Sequence, residues 1–315
     1  MALTKHPIAD LIARRGGLVI DGAMSTPLEA AGLNLNDTLW SAKALLECPD
    51  LVRKVHYDYY AAGANAVEAC SYQATEAAFA RKGIEKAEAS RLIRLSGELV
   101  REAKNDVLLE HPEWDPADLL TAGSIGPYGA YLADGSEYTG AYDLTREEYY
   151  AFHQLRLDEL LNSGMDILAI ETQPRFDEIE ALLAMIADRD ITCWVTVTLK
   201  DGDMPDGTKL EVLAKCLDAD PHVEAFGFNC VKREWVEPGL KRLSAYTDKP
   251  LVVYPNSGET YDPTTKTWHA HEPDWNHYVP LWEHTGARCI GGCCRTLPKD
   301  IVQIAELLHR AAEKH

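Results

Sequence analysis

The stretch Ala287-Arg-Cys-Ile-Gly-Gly-Cys-Cys-Arg-Thr296 combines a short apolar segment with two glycines and two adjacent cysteines. This pattern predicts a strand, a turn and the start of a helix. Glycine has no Cβ, so the chain can turn sharply between the strand and the helix. Two neighbouring thiols on such a turn can face one space, but two thiols do not complete a metal site. We therefore expect a third ligand from another part of the chain.

The predicted strand at 287–291 is the last of eight short apolar segments, and a helical pattern follows each of them. Most are apolar throughout, as in strands buried on both faces of a parallel sheet. The predicted strands are residues 17–23, 64–70, 119–125, 165–172, 191–199, 223–230, 250–255 and 287–291. Eight such units predict an α/β protein with a single (β/α)8 barrel of the TIM type, one domain over 1–315, with its site at the C-terminal strand ends. A doubly wound open sheet is the alternative, but such sheets usually have fewer units.

Local signals predict two loops and the starts of two helices. Thr145 and Glu148 form a capping box, which predicts the beginning of a helix. The segments 126–143 and 256–272 are predicted loops, and a helix is predicted over 273–284. Each loop follows the end of a strand, so both lie on the face that carries the site of a barrel.

Composition argues against several kinds of partner. The 315 residues carry a formal net charge of −19, and such an acidic surface repels the phosphate backbone of nucleic acids. No apolar run approaches the roughly 18 residues of a membrane span, and residues 1–17 lack the apolar core of a secretory leader. Eight cysteines are too sparse for a disulfide scaffold. We expect a cytoplasmic protein with reduced thiols and no nucleic-acid or membrane partner, while the oligomeric state stays open.

A third thiol comes from the strand predicted at 223–230, which ends in Cys230. This strand lies two places from the one before Cys293 and Cys294, so the three thiols can converge across the barrel mouth. Three thiolates suit Zn²⁺ and leave a fourth coordination position open. A vicinal Cys293–Cys294 disulfide and ordinary buried cysteines are the alternatives. The remaining cysteines are expected to pack in the core: Cys48, Cys70, Cys193, Cys216 and Cys289.

Three thiolate ligands also indicate a class of reaction. They make a metal electron-rich and therefore poor at polarising a carbonyl group. Such a metal instead binds a further thiol in its deprotonated form, whereas a free thiol with a pKa of about 8.5 is mostly protonated at neutral pH. The predicted reaction is transfer of an alkyl group to a small polar thiol. Glu171 and the turn at Asp21 follow strand ends and are the predicted contacts for its charged groups.

Motifs along the chain resemble those of the homocysteine S-methyltransferase family, and the resemblance extends from Leu18 to Leu308. It is closest to the branch that uses S-methylmethionine, through residues 133–138 and 266–269. The segment before Ser71 matches less clearly, at Glu68 and Cys70. The motifs are Asp-Gly-Ala-Met (21–24), Ser-Tyr-Gln-Ala-Thr (71–75), Gly-Ser-Ile-Gly-Pro-Tyr-Gly-Ala-Tyr-Leu (123–132), Glu-Thr (171–172), Gly-Phe-Asn-Cys (227–230), Tyr-Pro-Asn-Ser-Gly-Glu (254–259) and Gly-Gly-Cys-Cys-Arg-Thr (291–296).

The resemblance implies a methyltransferase whose Zn²⁺ is held by Cys230, Cys293 and Cys294. It implies homocysteine as the acceptor, with its sulfur as the fourth zinc ligand. Glu171 would bind its amino group, and backbone amides of the turn over 21–24 would bind its carboxylate. The predicted substrate-binding residues are Asp21, Ala23, Met24, Glu171, Thr172 and Asn256, the last also a candidate for orienting a cysteine sulfur.

The implied reaction is an in-line displacement, in which the homocysteine thiolate attacks a methyl group of a sulfonium donor. S-methylmethionine is the favoured donor. S-adenosylmethionine or betaine as donor and selenocysteine as acceptor are alternatives, and a non-catalytic barrel with a structural zinc or a redox thiol site is a further one. Aromatic faces and carboxylates attract a sulfonium cation, and the candidates for this contact are Trp40, Tyr72, Tyr128, Tyr131 and Glu137. His269 and His271 are either a further metal or donor contact or an exposed loop pair.

Overall fold

The computed structural model describes residues 5–258, 260–262, 267–269 and 274–312. Its strands are β1 (Leu18–Val19), β2 (Ala66–Glu68), β3 (Leu120–Ile125), β4 (Ile167–Gln173), β5 (Cys193–Val197), β6 (Val223–Asn229), β7 (Leu251–Tyr254), β8 (Thr260–Asp262), β9 (Thr267–His269) and β10 (Ala287–Ile290). Eight of them form one parallel sheet in the order β1-β10-β7-β6-β5-β4-β3-β2. A bridge between Ile20 and Ala66 joins the two edges. The predicted (β/α)8 barrel is confirmed.

Helices surround the barrel and carry the local signals expected of them. The capping box is present: Thr145 Oγ1 accepts from the Glu148 N–H at 3.3 Å, and Glu148 Oε2 accepts from the Thr145 N–H at 2.7 Å. None of the described helices is both long and apolar enough to cross a membrane. The helices are α1 (Pro7–Arg15), α2 (Ser25–Ala30), α3 (Ala44–Glu47), α4 (Pro49–Ala61), α5 (Glu76–Ala80), α6 (Lys86–Glu110), α7 (Tyr128–Leu132), α8 (Ser136–Thr139), α9 (Arg146–Asn162), α10 (Phe176–Ile186), α11 (Leu210–Ala219), α12 (Arg233–Leu243), α13 (Trp275–His284) and α14 (Pro298–Ala312), with 3-10 turns at Trp40–Lys43 and Pro116–Asp118.

Helix α1 was not predicted from the sequence. Its Ile8 and Leu11 are fully buried and belong to the same apolar cluster as Leu18 of β1. The Ala9 N–H donates to Glu224 Oε2 at 3.0 Å. Glu224 lies near the start of β6, so α1 covers the end of the barrel opposite to the C-terminal strand ends.

The predicted loops contain regular structure, and the first strand is much shorter than predicted. The segment 126–143 carries α7 and α8, and the described part of 256–272 carries the antiparallel pair β8 and β9. Helix α13 begins at Trp275, because Asp274 caps it by accepting from the His277 N–H. Strand β1 covers only two residues, since the chain turns after Ile20 toward the segment that follows β10.

Alternation along the barrel strands decides which side chains face the barrel axis. An inner apolar cluster holds Ala66 of β2 and Ala169 of β4, whereas Val67 and Ile170 pack in the outer layer against the helices. Successive strand residues point to opposite faces. Glu68 and Glu171, each two positions beyond an inner residue, therefore point inward at the mouth of the barrel.

Candidate metal centre and substrate cavity

A cavity of about 340 Å³ lies at the C-terminal ends of the barrel strands. The thiols of three cysteines line one part of it, and carboxyl groups line much of the rest. Among the described residues that line the cavity, none is a lysine, an arginine or a histidine. The carboxyl residues of the lining are Asp21, Asp37, Glu68, Glu137 and Glu171. The cavity is therefore suited to cationic ligands.

The Sγ atoms of Cys230, Cys293 and Cys294 lie within 4.8 Å of one another. Among the described histidine, cysteine, aspartate and glutamate side chains, these three have ligand atoms close enough together to hold one metal ion. Cys230 and Cys293 form a disulfide, and the sulfurs of Cys230 and Cys294 are 4.0 Å apart. The bonded pair is thus not the vicinal pair considered from the sequence. When the disulfide is reduced, three soft ligands at this spacing fit one metal ion.

Backbone contacts hold these cysteines in place. The Cys230 N–H donates to the Tyr254 carbonyl at 3.2 Å, and the Cys293 N–H donates to the Pro255 carbonyl at 2.8 Å. Gly291 and Gly292 are required by close packing and not by a positive φ. A Cβ on Gly291 would lie 2.6 Å from the carbonyl oxygen of the neighbouring β1 segment, and a Cβ on Gly292 would overlap the Thr296 side chain.

Glu171 is held in a fixed orientation beside the cysteines. Ser124 Oγ donates to its Oε1, and Asn229 Nδ2 donates to its Oε2 at 3.2 Å. Asn229 Oδ1 also accepts from the Thr172 N–H at 2.8 Å, so one amide fixes both residues at the end of β4. Burial raises the pKa of Glu171 to about 7, although the hydrogen bonds from Ser124 and Tyr254 oppose this. A neighbouring cation would lower this pKa and stabilise the ionised carboxylate.

The turn over 21–24 lines the same cavity as Glu171. Asp21 Oδ2 accepts from the Glu68 N–H at 3.0 Å, and burial raises the pKa of Asp21 well above its usual range. The amides of Asp21 and Ala23 donate to the carbonyls of Ala66 and Thr296, both at 3.1 Å. These two amides are already used within the fold. If the turn binds a substrate carboxylate as predicted, the amides left to donate to it are those of Gly22 and Met24.

The predicted donor-binding residues divide into two groups. Trp40 and Tyr72 line the cavity with their rings 6.2 Å apart, and Glu137 lines it as well. Tyr128 and Tyr131 do not belong to the lining of this cavity. Their rings pack with Phe152 at 4.9 and 5.5 Å, because aromatic side chains on this short helix find partners on α9.

The remaining predicted residues lie apart from the cavity or outside the described part of the chain. Asn256 is not among the lining residues; its N–H donates to the Val231 carbonyl at 3.3 Å. His269 ends β9, and His271 falls outside the described residues. Sequence reasoning missed the roles of Ser124, Asn229 and Tyr254. Every second residue of a strand points to the same face, so counting in twos from the inward-facing apolar residues of these strands could have located them.

Fold and site together define a (β/α)8 barrel enzyme with a three-thiol centre and a carboxylate-rich cavity at its mouth. The chain belongs to the homocysteine S-methyltransferase family, whose model matches residues 18–308. It is 48% identical over 304 residues to the homocysteine S-methyltransferase of Escherichia coli (strain K12), covering 95% of this chain and 97% of that protein.

The solved structures of the homocysteine methyltransferase MmuM from Escherichia coli have the same fold. Its metallated form matches with a TM-score of 0.87 and 46% identity, covering 96% of this chain and 99% of that chain. Its oxidised form matches with a TM-score of 0.87 and 45% identity over the same shares of the two chains.

Proposed function

We propose that this protein is a zinc-dependent homocysteine S-methyltransferase that uses S-methylmethionine as its methyl donor. The observation that carries the proposal is the meeting of three thiols and five carboxyl groups in one cavity, with no lysine, arginine or histidine among the described lining residues. Thiolates are the ligands that soft metals prefer, and carboxylates attract ammonium and sulfonium groups. Both proposed substrates carry such cations. The single domain over 1–315 supplies the whole site.

The proposed reaction is a single displacement at the methyl carbon. A new C–S bond forms to the homocysteine sulfur while the bond from the methyl group to the sulfonium sulfur breaks. The electron pair of the broken bond stays on the donor sulfur, so the donor leaves as neutral methionine and the acceptor becomes methionine. The thiol proton of homocysteine passes to solvent, and no general acid is required.

The chain's own residues bind and orient the two reactants. Zn²⁺ held by Cys230, Cys293 and Cys294 would supply a positive charge that keeps the homocysteine sulfur deprotonated and nucleophilic. Glu171, oriented by its hydrogen bonds, binds the ammonium group of homocysteine. Trp40 and Tyr72 face the same cavity and attract the sulfonium cation to their ring faces. Holding the reactants in line lowers the barrier, because their relative motion is already restricted.

The size of the cavity favours the small donor. Ligand cavities span roughly 300–1,000 Å³, and the value of about 340 Å³ lies near the lower end of that range. Acceptor and donor must occupy this space together, so two small amino acids fit better than an amino acid and an adenosyl group. We also place the protein in the cytoplasm, because a reducing compartment keeps Cys230 and Cys293 available as thiolates.

A methyl-transfer assay with homocysteine tests the proposal. Reduced protein is supplied with S-methylmethionine, S-adenosylmethionine or betaine, with and without a chelator, and methionine is measured. We expect turnover with S-methylmethionine that chelation abolishes, and the same loss in Cys294→Ala. Cys216→Ala, which removes a thiol outside the cavity, should keep activity. Turnover that persists after zinc removal or in Cys294→Ala would contradict the mechanism.

A further inference from the structure

Glu68 contributes a third carboxylate to the floor of the cavity, beside Asp21 and Glu171. It ends β2 and faces inward, two positions after Ala66 of the inner apolar cluster. Its backbone N–H donates to Asp21 Oδ2 at 3.0 Å, which fixes the two residues relative to each other. Glu68 Oε1 and Asp21 Oδ1 are both buried, and neither has a hydrogen-bond partner among the described residues. Asp21 is only 3% exposed.

A cation that pairs with these two buried carboxyl oxygens would stabilise their ionised form. Burial raises the pKa of Glu68, and the charges of Glu171 and Asp21 raise it further. No described lining residue supplies a positive charge, and buried charges are stable only when they are paired. The three carboxylates are not a candidate metal site, because the described residues whose ligand atoms lie close enough to hold a metal ion are the three cysteines. The position therefore suits a positively charged ligand group that donates several hydrogen bonds.

We propose that Glu68 is a specificity-determining residue, which together with Asp21 and Glu171 binds the ammonium group of the amino-acid acceptor. The proposal rests on the proposed function. A primary ammonium has three N–H donors. Both Glu171 oxygens already accept a hydrogen bond from the protein, from Ser124 and Asn229. Asp21 Oδ1 and Glu68 Oε1 can accept hydrogen bonds from the ammonium N–H groups that do not donate to Glu171.

The consequence is a strong preference for acceptors with a free primary ammonium group. The variant Glu68→Gln keeps the size of the side chain and removes its charge. We compare L-homocysteine with 4-mercaptobutanoate, which lacks the ammonium group, at saturating donor. In Glu68→Gln we expect KM for homocysteine to rise about tenfold, as for loss of one charge-assisted hydrogen bond. The preference over 4-mercaptobutanoate should fall by the same factor, while kcat and KM for the donor change little.

A matched control is Glu224→Gln, which alters a buried strand carboxylate outside the cavity. Glu224 is 6% exposed and accepts hydrogen bonds from Thr192 Oγ1 and from the Ala9 N–H in α1. It should keep the wild-type preference between the two acceptors. A Glu68→Gln enzyme with the wild-type preference, or with a raised KM for the donor alone, would overturn the assignment.

Binding of the two acceptors, measured by calorimetry on reduced, zinc-loaded protein, separates this proposal from the proposed function. Equal loss of preference in binding and in turnover supports the role of Glu68. If wild-type protein binds homocysteine more tightly than 4-mercaptobutanoate but transfers no methyl group, the proposed function fails. The role of Glu68 is then still tested by comparing the dissociation constants of wild type and Glu68→Gln. A ratio of those constants that is the same in wild type and Glu68→Gln overturns the Glu68 proposal alone.

Discussion

Gly292 shows how a single residue without a side chain shapes the thiol centre. A Cβ at this position would overlap Thr296, and the Gly292 N–H donates to the Asp21 carbonyl at 3.1 Å. The turn that carries Cys293 and Cys294 can therefore pack against Thr296 only with glycine here. A side chain would displace both sulfurs while leaving the distant parts of the barrel in place.

The variant Gly292→Val should accordingly lower zinc affinity about 10- to 100-fold, the usual cost of disturbing the residues that support metal ligands. The circular dichroism spectrum should remain that of a folded barrel. Zinc stoichiometry and competition with a chromogenic chelator measure the effect, and Gly292→Ala should give a smaller loss because its side chain is shorter. Unchanged zinc affinity in Gly292→Val would show that the close packing does not position the thiols.

His56 makes the stability of the protein sensitive to acid. It is fully buried, and neither ring nitrogen has a hydrogen-bond partner in the described part of the chain. Burial lowers its pKa to about 3. The unfolded chain takes up a proton near pH 6.5, but the folded chain does not. The stability that neutral His56 contributes is therefore complete above pH 6.5 and is lost as the pH falls toward 3.

Replacement of His56 by leucine should remove this part of the acid sensitivity. From pH 7 to pH 5 the free energy of unfolding of the wild type should fall by about 2 kcal/mol more than that of His56→Leu. Urea unfolding of reduced protein in the presence of a chelator measures the difference without a contribution from metal binding. Equal losses in the two proteins would mean that His56 is not neutral in the folded state.

At the scale of elements, helices α9 and α10 hold the loops around the cavity through a buried charged cluster. Arg156 of α9 donates to the carbonyls of Tyr72 and Gly126, both at 2.6 Å. Glu178 of α10 accepts from the Tyr128 N–H at 2.6 Å and lies 2.8 Å from His153 Nε2. Two helices thus fix the segments after β2 and β3, one of which carries Tyr72 into the cavity.

Removal of Arg156 should affect both stability and donor binding. Arg156→Met leaves the carbonyls of Tyr72 and Gly126 without this donor. Because each buried polar group left unsatisfied costs about 1–3 kcal/mol, the free energy of unfolding should fall by about 2–6 kcal/mol. KM for the donor should rise more than KM for homocysteine, because the Tyr72 segment loses its anchor. Arg189→Met, which removes an exposed ion pair with Asp158, is the control and should change little. Equal increases in both KM values would point to a general loss of structure instead.

The elements that could be predicted from the sequence are those with strong local signals. Barrel strands are short apolar runs, and their ends meet at one face, which brought Asp21, Glu171 and Cys230 to the same place as expected. Helix α1 escaped prediction because its burial depends on a distant contact with β6. The orientation of loop residues is also set by distant packing. Asn256 and Tyr131 were therefore predicted to face the site, although neither lines the cavity.

For the whole molecule, the thiol centre joins parts of the chain that are far apart in sequence. Cys230 and Cys293 are separated by 63 positions, and each follows a different strand of the closed sheet. A metal that binds only the folded arrangement stabilises it by mass action. Zinc should therefore raise the melting temperature of reduced wild-type protein in a concentration-dependent way, and it should have little effect on Cys294→Ala.

The disulfide between Cys230 and Cys293 predicts a direct competition between oxidation and metal binding. Disulfide sulfurs cannot act as thiolate ligands, so forming this bond removes two of the three ligands at once. We expect oxidised protein to release zinc and lose methyl transfer, and a reductant to restore both. Cys294→Ala can still form the disulfide but lacks the third ligand, so it should bind zinc weakly before and after reduction. Zinc release to a chromogenic chelator is followed together with the count of free thiols. Full retention of zinc in protein that has lost the Cys230 and Cys293 thiols would rule out the shared use of these sulfurs.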